Sequence, residues 1–567
     1  MSAPTAPTRP LLLLRGGTRP DDVARLSRAL AERLRDRGLW PAGGARAHQG
    51  SGPDAPAAMS GPGASGCQAA RGGPADPPPG GGPALIVPIG PAEDPDGIRA
   101  DLARRLDPHG PAADPGTDLL LRTSGSTTGT GRLVAMSAAA MLASARAAHE
   151  RLGGPGHWVL ALPAHHVAGL QVILRSLIAG LPLRGPGPDL GSGAHGGPVR
   201  SQDSGAGPLL QAPTVAPTVA PTVAPTVVDT TDGFDPMALA EGVDRALAAA
   251  GPAPVYTSLV PAQLLAVLAP GQERAAAALA RLGAVLVGGA AADAGMLSRA
   301  RGAGIRVVTT YGMSETAGGC VYDGLPLEGV EVRLHQGRIL LSGPTLFAGY
   351  AERGRGAAEG ASTLLAGNGP QGEGVAGAGE GARAAGPARA ITPGGPAAPA
   401  APAEPPSGGG RARRWLATTD RGRLEPGPDG RHRLIVEGRL DDIIITGGIK
   451  VDPARVEAEM ARLPGVAECC VLGLPDPRWG AAVTAVVVPQ PQAASRPGLP
   501  EALRRGARQR LDGAHAPKRV ILVDALPRLG PGKVDRRGLA ARLGAGGPGG
   551  GVGSPGSPQA HDDERTP

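Results

Sequence analysis

Between Trp158 and Thr309 the chain alternates short apolar runs with longer amphipathic ones, and this alternation constrains the fold more than any other feature. The spacing predicts strands over 158–162, 254–256, 283–287 and 305–309. It predicts helices over 167–178, 237–249 and 294–301, and another opening at Pro261, a favoured first helical residue. Strands alternating with helices build a mostly parallel sheet with helices on its faces. Ligands of such sheets lie outside the carboxyl ends of strands, which singles out the loops after Leu121, Leu162 and Thr309. After Gly329 the texture becomes β, with strands expected over 330–334 and 338–343. From about Leu440 a smaller α+β unit is expected: helices over 453–462, 500–511 and after Lys533, and strands over 467–472, 482–488 and 519–523. The expected fold is therefore α/β. A large N-terminal domain, 1–439, carries a β-rich subdomain. A small mobile C-terminal domain follows over 440–543, then a disordered tail, 544–567.

Composition has to be read locally. The 92 glycines and 62 prolines among 567 residues suggest low-complexity sequence, but they crowd into windows near 42–82, 185–227 and 351–412. The second window contains four copies of Ala-Pro-Thr-Val, from Ala212 to Val227. Such stretches lack the apolar surface that offsets chain entropy, so they are expected to be disordered insertions. Roughly 400 residues remain, enough for a large core and a second domain. The net charge of +7 is scattered, and four Trp, four Tyr and two Phe leave little for base stacking, so nucleic acid is not an expected partner. The run Leu11–Leu14 is too short for a signal peptide or a membrane span. Cys67, Cys320, Cys469 and Cys470 show no paired metal spacing, and the expected setting is a cytoplasm that keeps thiols reduced.

The loop after Leu121 reads TSGSTTGTGR, Thr123 to Arg132. Glycines let backbone N–H groups approach anionic oxygens and hydroxyls add donors, so phosphate is a natural occupant. It is not the P-loop of NTPases, because Thr130 and Gly131 stand where Gly and Lys belong. Nor is the segment Gly312-Met-Ser314-Glu-Thr316 a nucleophile elbow, since Thr316 occupies the second glycine position. Lysine is rare: Lys450, Lys518 and Lys533 stand against 54 arginines. A lysine kept in such a chain suits a task that needs a compact, mobile charge.

Seven segments, in order, resemble the signatures of the adenylate-forming superfamily of acyl- and aryl-CoA ligases, peptide-synthetase adenylation domains and luciferases. They are the loop at 123–132, LPAHHVAG (162–169), TYGMSET (310–316), SGPTLFAGY (342–350), TTDRGRL (418–424), GRLDDIIITGGIKVDPARVE (438–457) and LPRLGPGKVDRR (526–537). Within that superfamily the stretch 306–334, with 258–264 and the short lead before the phosphate loop, resembles the o-succinylbenzoate–CoA ligases of menaquinone biosynthesis. The chain departs from the pattern where the phosphate loop has an extra Thr, Gly131 for Pro and Arg132 for Lys. Thr419 stands for Gly, and Ser314 for Thr.

The resemblance implies two steps: a carboxylate attacks the α-phosphorus of ATP·Mg²⁺, and CoA then displaces AMP from the acyl-adenylate. It implies that Thr123, Ser124, Gly125, Ser126, Thr127, Gly129 and Arg132 hold phosphate. Tyr311, Gly312 and Ser314 lie at the nucleotide, with Tyr311 against adenine. Asp420 accepts from the ribose hydroxyls, Arg439 reaches ribose or phosphate, and Glu315 ligates Mg²⁺. His166 is implied beside the substrate carboxyl, and Lys533 between that carboxyl and the α-phosphate. Asp441 is implied as the hinge on which the small domain turns, and Gly447 and Gly448 as a passage for pantetheine. An acid pocket is expected near Arg175, Ser258, Gly288 and Gly289. The alternatives are another aryl- or short acyl-CoA ligase, or a stand-alone adenylation enzyme that loads a carrier protein.

Overall fold

The computed structural model describes residues 9–40, 83–123, 131–180, 224–353, 362–366, 374–376, 413–529 and 533–545. They fall into two compact units, divided between Val436 and Glu437, with the segment after Leu529 returning to the second unit at Lys533.

The described residues of the first unit form three sheets. The largest runs in the order Leu325–Pro326, Gly318–Tyr322, Val307–Met313, Ala284–Val287, Val255–Leu259, His157–Leu160, Thr226–Val227. Pairing is parallel from Val307–Met313 through to Thr226–Val227 and antiparallel at the other end. Helices Val167–Ile178, Pro236–Ala250, Pro261–Val267 and Ala294–Gly302 connect the strands, as the alternation predicts. One difference matters for the site: the strand expected to stop at Thr309 continues to Met313, so Tyr311 and Gly312 lie on a strand and not in a loop. A neighbouring strand explains the extension, because Gly318–Tyr322 folds back and supplies partners for Thr310–Met313.

A second sheet orders Leu11–Arg15, Leu85–Ile89, Leu119–Arg122, Leu133–Met136 and Gly349–Tyr350. The third is antiparallel and centres on Arg414–Pro426 and Arg338–Ser342. Trp158, Trp415, Tyr322 and Phe347 are fully buried, so much of the scarce aromatic volume lies in the core. The second unit packs helices Pro453–Ala461 and Leu499–Arg510 and the three-stranded sheet Val466–Asp476, Gly480–Pro489, Arg519–Leu522 around Val451, Val456, Met460, Val483 and Leu503. Cys470 is buried in this sheet and Cys469 partly so.

The windows expected to be disordered need narrower bounds. The last repeat copy carries the strand Thr226–Val227, paired with Val159 and Leu160, and Thr226 Oγ1 lies 2.7 Å from His157 Nε2. Strands Thr363–Ala366 and Gly374–Ala376 lie inside the third window and join the antiparallel sheet. Window-averaged composition hides such pieces: Thr-Val and Leu-Leu are strand formers, and an open sheet edge needs only a few residues. Most of the remaining low-complexity sequence lies outside the described residues.

The two boundaries can be separated by deletion. Removing 212–223 is expected to leave the melting temperature nearly unchanged. Removing 212–227 also takes the edge strand beside His157–Leu160 and should lower it by roughly 4 °C or more, read by differential scanning fluorimetry.

Candidate active site

Tyr311 and Glu315 are brought close together by a reversal at the end of one strand. Thr316 Oγ1 accepts from Met313 N at 2.9 Å and donates to Gly318 O at 2.7 Å, while Ala317 takes the left-handed conformation (φ 54°). Gly312 must be glycine, because a Cβ there would stand 2.1 Å from Gly318 O. Ser314 opens the single helical turn Ser314–Thr316, and its carbonyl accepts from Ala317 N.

Tyr311 Oη donates to Asp420 Oδ2 at 2.8 Å, and Thr418 Oγ1 donates to Ile339 O and accepts from Asp420 N at 3.1 Å. Burial, and then the adjacent Asp420 carboxylate, push the Tyr311 hydroxyl well above its ordinary range, so it stays protonated and donating. Glu315 is only 9% exposed. Tyr350 Oη donates to its Oε1 at 2.8 Å, and Phe347 N donates to its carbonyl at 2.9 Å. Burial raises its pKa against the opposing pull of Tyr350 and Arg132. A buried carboxylate in that condition is stabilised by an added cation.

Of the loop from Thr123 to Arg132, the described residues are those at its base. Thr123 N donates to Arg132 O at 2.9 Å and Arg132 N to Thr123 Oγ1 at 2.7 Å. Ser124, Gly125, Ser126, Thr127 and Gly129 lie outside the described residues. The loop joins antiparallel strands Leu119–Arg122 and Leu133–Met136 and does not run straight into a helix. Among the described residues, therefore, no helix N-terminus stands directly behind the loop, and Arg132 is the cation at its exit.

His165 and His166 divide the roles expected of LPAHHVAG. His165 is tied to the turn after Leu11–Arg15: its backbone N donates to Gly16 O at 2.6 Å and its Nδ1 lies 3.0 Å from the same oxygen. His166 stands at the N-cap of Val167–Ile178 and makes no side-chain capping bond. Burial, reinforced by His165, lowers its pKa to about 4. His166 is thus a neutral imidazole at pH 7, able to donate one hydrogen bond but carrying no charge.

Arg175 is 3% exposed. Its Nη2 donates to Tyr322 Oη at 3.0 Å, its Cζ lies 5.0 Å from the Trp158 ring centroid, and its buried Nε has no partner. Ser258 is buried on Val255–Leu259. Gly288 is required by close approach, since a Cβ would meet the Thr310 carbonyl at 2.7 Å, and Gly289 has φ +80°.

In the second unit Arg439 and Asp441 are bound to each other, the guanidinium forking onto both carboxylate oxygens at 2.8 and 2.6 Å. Gly447 and Gly448, at φ 54° and 80°, form the turn of the hairpin Ile444–Thr446/Ile449–Val451, which by itself accounts for both glycines. Lys533 lies on the short strand Lys533–Val534, opposite Leu529. Three residues on, Arg536 grips Glu457 at 2.7 and 2.9 Å and donates to Val471 O, fixing the chain that carries the lysine. Tyr350, inside a segment read for its motif alone, is the functional candidate the sequence left without a role. Its rarity, one of four tyrosines, is the signal that could have marked it.

Residues 455–533 match the model of the AMP-binding enzyme C-terminal domain. The chain is 37% identical over 435 residues, 76% of its length and 86% of the relative's, to a protein of Mycobacterium tuberculosis named probable 2-succinylbenzoate–CoA ligase. A shorter match, 40% over 117 residues, reaches 4-chlorobenzoate–CoA ligase of a Pseudomonas species and covers 21% of this chain and 22% of that one. An ATP-bound crystal structure of MatB from Rhodopseudomonas palustris shares the fold, with a TM-score of 0.50, 20% identity and coverage of 81% of this chain and 75% of that one. These matches define an AMP-binding enzyme. The chain belongs to the adenylate-forming acid–CoA ligase family.

The neutral state of His166 has a measurable consequence. Because its folded pKa lies below the ordinary 6.5, the unfolded chain takes up the proton first as pH falls. Stability is complete above about pH 6.5 and declines toward pH 4, by up to about 3 kcal/mol for this group. The expected outcome is a melting temperature that falls more steeply between pH 6.5 and 4 in the wild type than in His166→Gln. Equal slopes would contradict the burial of a neutral ring.

Proposed function

We propose that this acid–CoA ligase adenylates o-succinylbenzoate with ATP and transfers the acyl group to CoA, the activation that menaquinone biosynthesis requires. The observation that carries this reading beyond the family is Arg175. A guanidinium this buried, with one nitrogen unpartnered and, among the described residues, no carboxylate paired to it, is unstable without an anion. A dicarboxylic acid supplies one: one carboxylate reacts and the other meets Arg175, with Ser258 as a further polar partner. A second reading, another aryl-CoA ligase, is favoured by the partial match to 4-chlorobenzoate–CoA ligase, whose named substrate has a single carboxylate.

In the first step a carboxylate oxygen bonds the α-phosphorus and pyrophosphate leaves. In the second the CoA sulfur bonds the acyl carbon and AMP leaves. Both transition states gather negative charge, so fixed dipoles and cations carry much of the catalysis. Arg132 and Thr123, at the two ends of the loop, are assigned to the phosphates. Asp420 has two oxygens to accept from ribose, one of them steadied by Tyr311. His166 donates one hydrogen bond near the reacting carboxyl. Lys533 supplies the mobile ammonium of the adenylation step. Among the described residues no group of three or more His, Cys, Asp or Glu could hold a metal ion. The buried carboxylate of Glu315 nevertheless fits Mg²⁺ that arrives with nucleotide, a hard cation that one carboxylate of the protein would help to hold. Bound there, Mg²⁺ would neutralise phosphate charge.

Two experiments test this reading. Lys533→Ala should lower acyl-adenylate formation at least a hundredfold yet leave thioester formation from pre-made acyl-adenylate within a few-fold, as expected for loss of charge stabilisation in one step only. Equal loss in both half-reactions would contradict the role. Separately, o-succinylbenzoate should exceed benzoate in kcat/KM, and Arg175→Gln should erase most of that preference. A higher kcat/KM for benzoate or a fatty acid would favour the second reading.

A further inference from the structure

Arg132 stands where the related loops carry lysine, and the structure shows what the exchange is built around. Its Cζ lies 3.1 Å from the centroid of the Tyr350 ring. Its Nη1 donates to Ser362 O at 3.5 Å, and its Nε is 3.9 Å from Glu352 Oε2, a buried oxygen without a hydrogen bond. A planar guanidinium stacks on an aromatic face and still presents its edge donors; an ammonium does neither as well.

The same tyrosine reaches in a second direction, where its hydroxyl donates to Glu315 Oε1 at 2.8 Å. Its position is over-determined. The strand Gly349–Tyr350 pairs with Leu133–Met136, placing Tyr350 opposite Val134, two residues after Arg132. The Phe347 ring packs edge-to-face with it at a centroid distance of 4.8 Å, and the Phe347 amide holds the Glu315 carbonyl. Glu352 accepts from Leu133 N at 3.2 Å and pairs with Arg105. One short segment, 347–352, thus grips the cation at the exit of the loop and the buried carboxylate at the end of the central strand.

We propose that Tyr350 is a positioning residue that locks Arg132 and Glu315 into one unit, its ring setting the phosphate-facing guanidinium and its hydroxyl setting the carboxylate rotamer. This rests on the ATP-site reading above. It implies that the loop is committed to arginine, so that restoring lysine does harm.

The test uses the full-length chain, with equilibrium binding of a fluorescent ATP analogue, with and without Mg²⁺, alongside steady-state kinetics. Tyr350→Phe keeps the stack and removes one charge-assisted hydrogen bond, so the Mg²⁺ concentration for half-maximal binding should rise about tenfold while metal-free affinity changes less than twofold. Tyr350→Leu removes both contacts, and both quantities should worsen. Arg132→Lys should weaken metal-free nucleotide binding several-fold and leave the KM for the acid unchanged. If Tyr350→Leu does not fold, the other two variants decide. Arg132→Lys equal to or better than the wild type, or a Tyr350→Phe variant with an unshifted Mg²⁺ requirement, would overturn the proposal. A wild-type chain that binds no nucleotide would instead overturn the ATP-site reading itself.

Discussion

The site depends on a reversal that only glycine permits. At Gly312 the backbone of the returning strand comes so close that any side chain would collide with Gly318 O. The close approach lets Gly318–Tyr322 pair with Thr310–Met313, which lengthens the central strand beyond its parallel neighbour. Tyr311 then faces Asp420, and the single helical turn at Ser314–Thr316 delivers Glu315 to Tyr350. An alanine at Gly312 would separate the two strands and dismantle both pairs together.

Buried charge follows a consistent logic. Asp118 is buried but receives Arg33, Arg37 and the amide of Ala138, so it behaves as a finished structural joint. Glu93, partly exposed, forks onto Arg122 just before the phosphate loop and is likewise satisfied. Glu315 and Arg175 differ. Both are deeply buried and, among the described residues, neither makes an ion pair, while burial raises the Glu315 pKa. Unpaired buried charges of this kind mark candidate sites for ligands of opposite charge.

Much of the large sheet was legible from periodicity. The helix over 167–178 has those bounds, and the strands and helices expected between 237 and 302 fall within a few residues of their places, although the helix Glu273–Ala280 was not expected. Long apolar repeats of one period leave little choice of structure. The ends of strands were less legible, because Met313 and Leu259 are extended by partners supplied from elsewhere in the chain. Thr226–Val227 was hidden by the repeat around it, and Thr363–Ala366 by its Gly-rich flanks. The family resemblance pointed to Tyr311, Glu315 and Asp420, and the structure pairs Tyr311 with Asp420 and Glu315 with Tyr350. The resemblance could not foresee that Arg439 would be held by Asp441, or that Tyr350 would connect Arg132 to Glu315, since those contacts depend on side-chain directions.

The central claim is that this chain makes an acyl-adenylate, and the direct measurement is acid-dependent exchange of labelled pyrophosphate into ATP without CoA. The account predicts exchange that requires o-succinylbenzoate, yields AMP and not ADP when product is withdrawn, and falls sharply in Glu315→Gln. Exchange without any acid, ADP as the nucleotide product, or full activity in Glu315→Gln would contradict it.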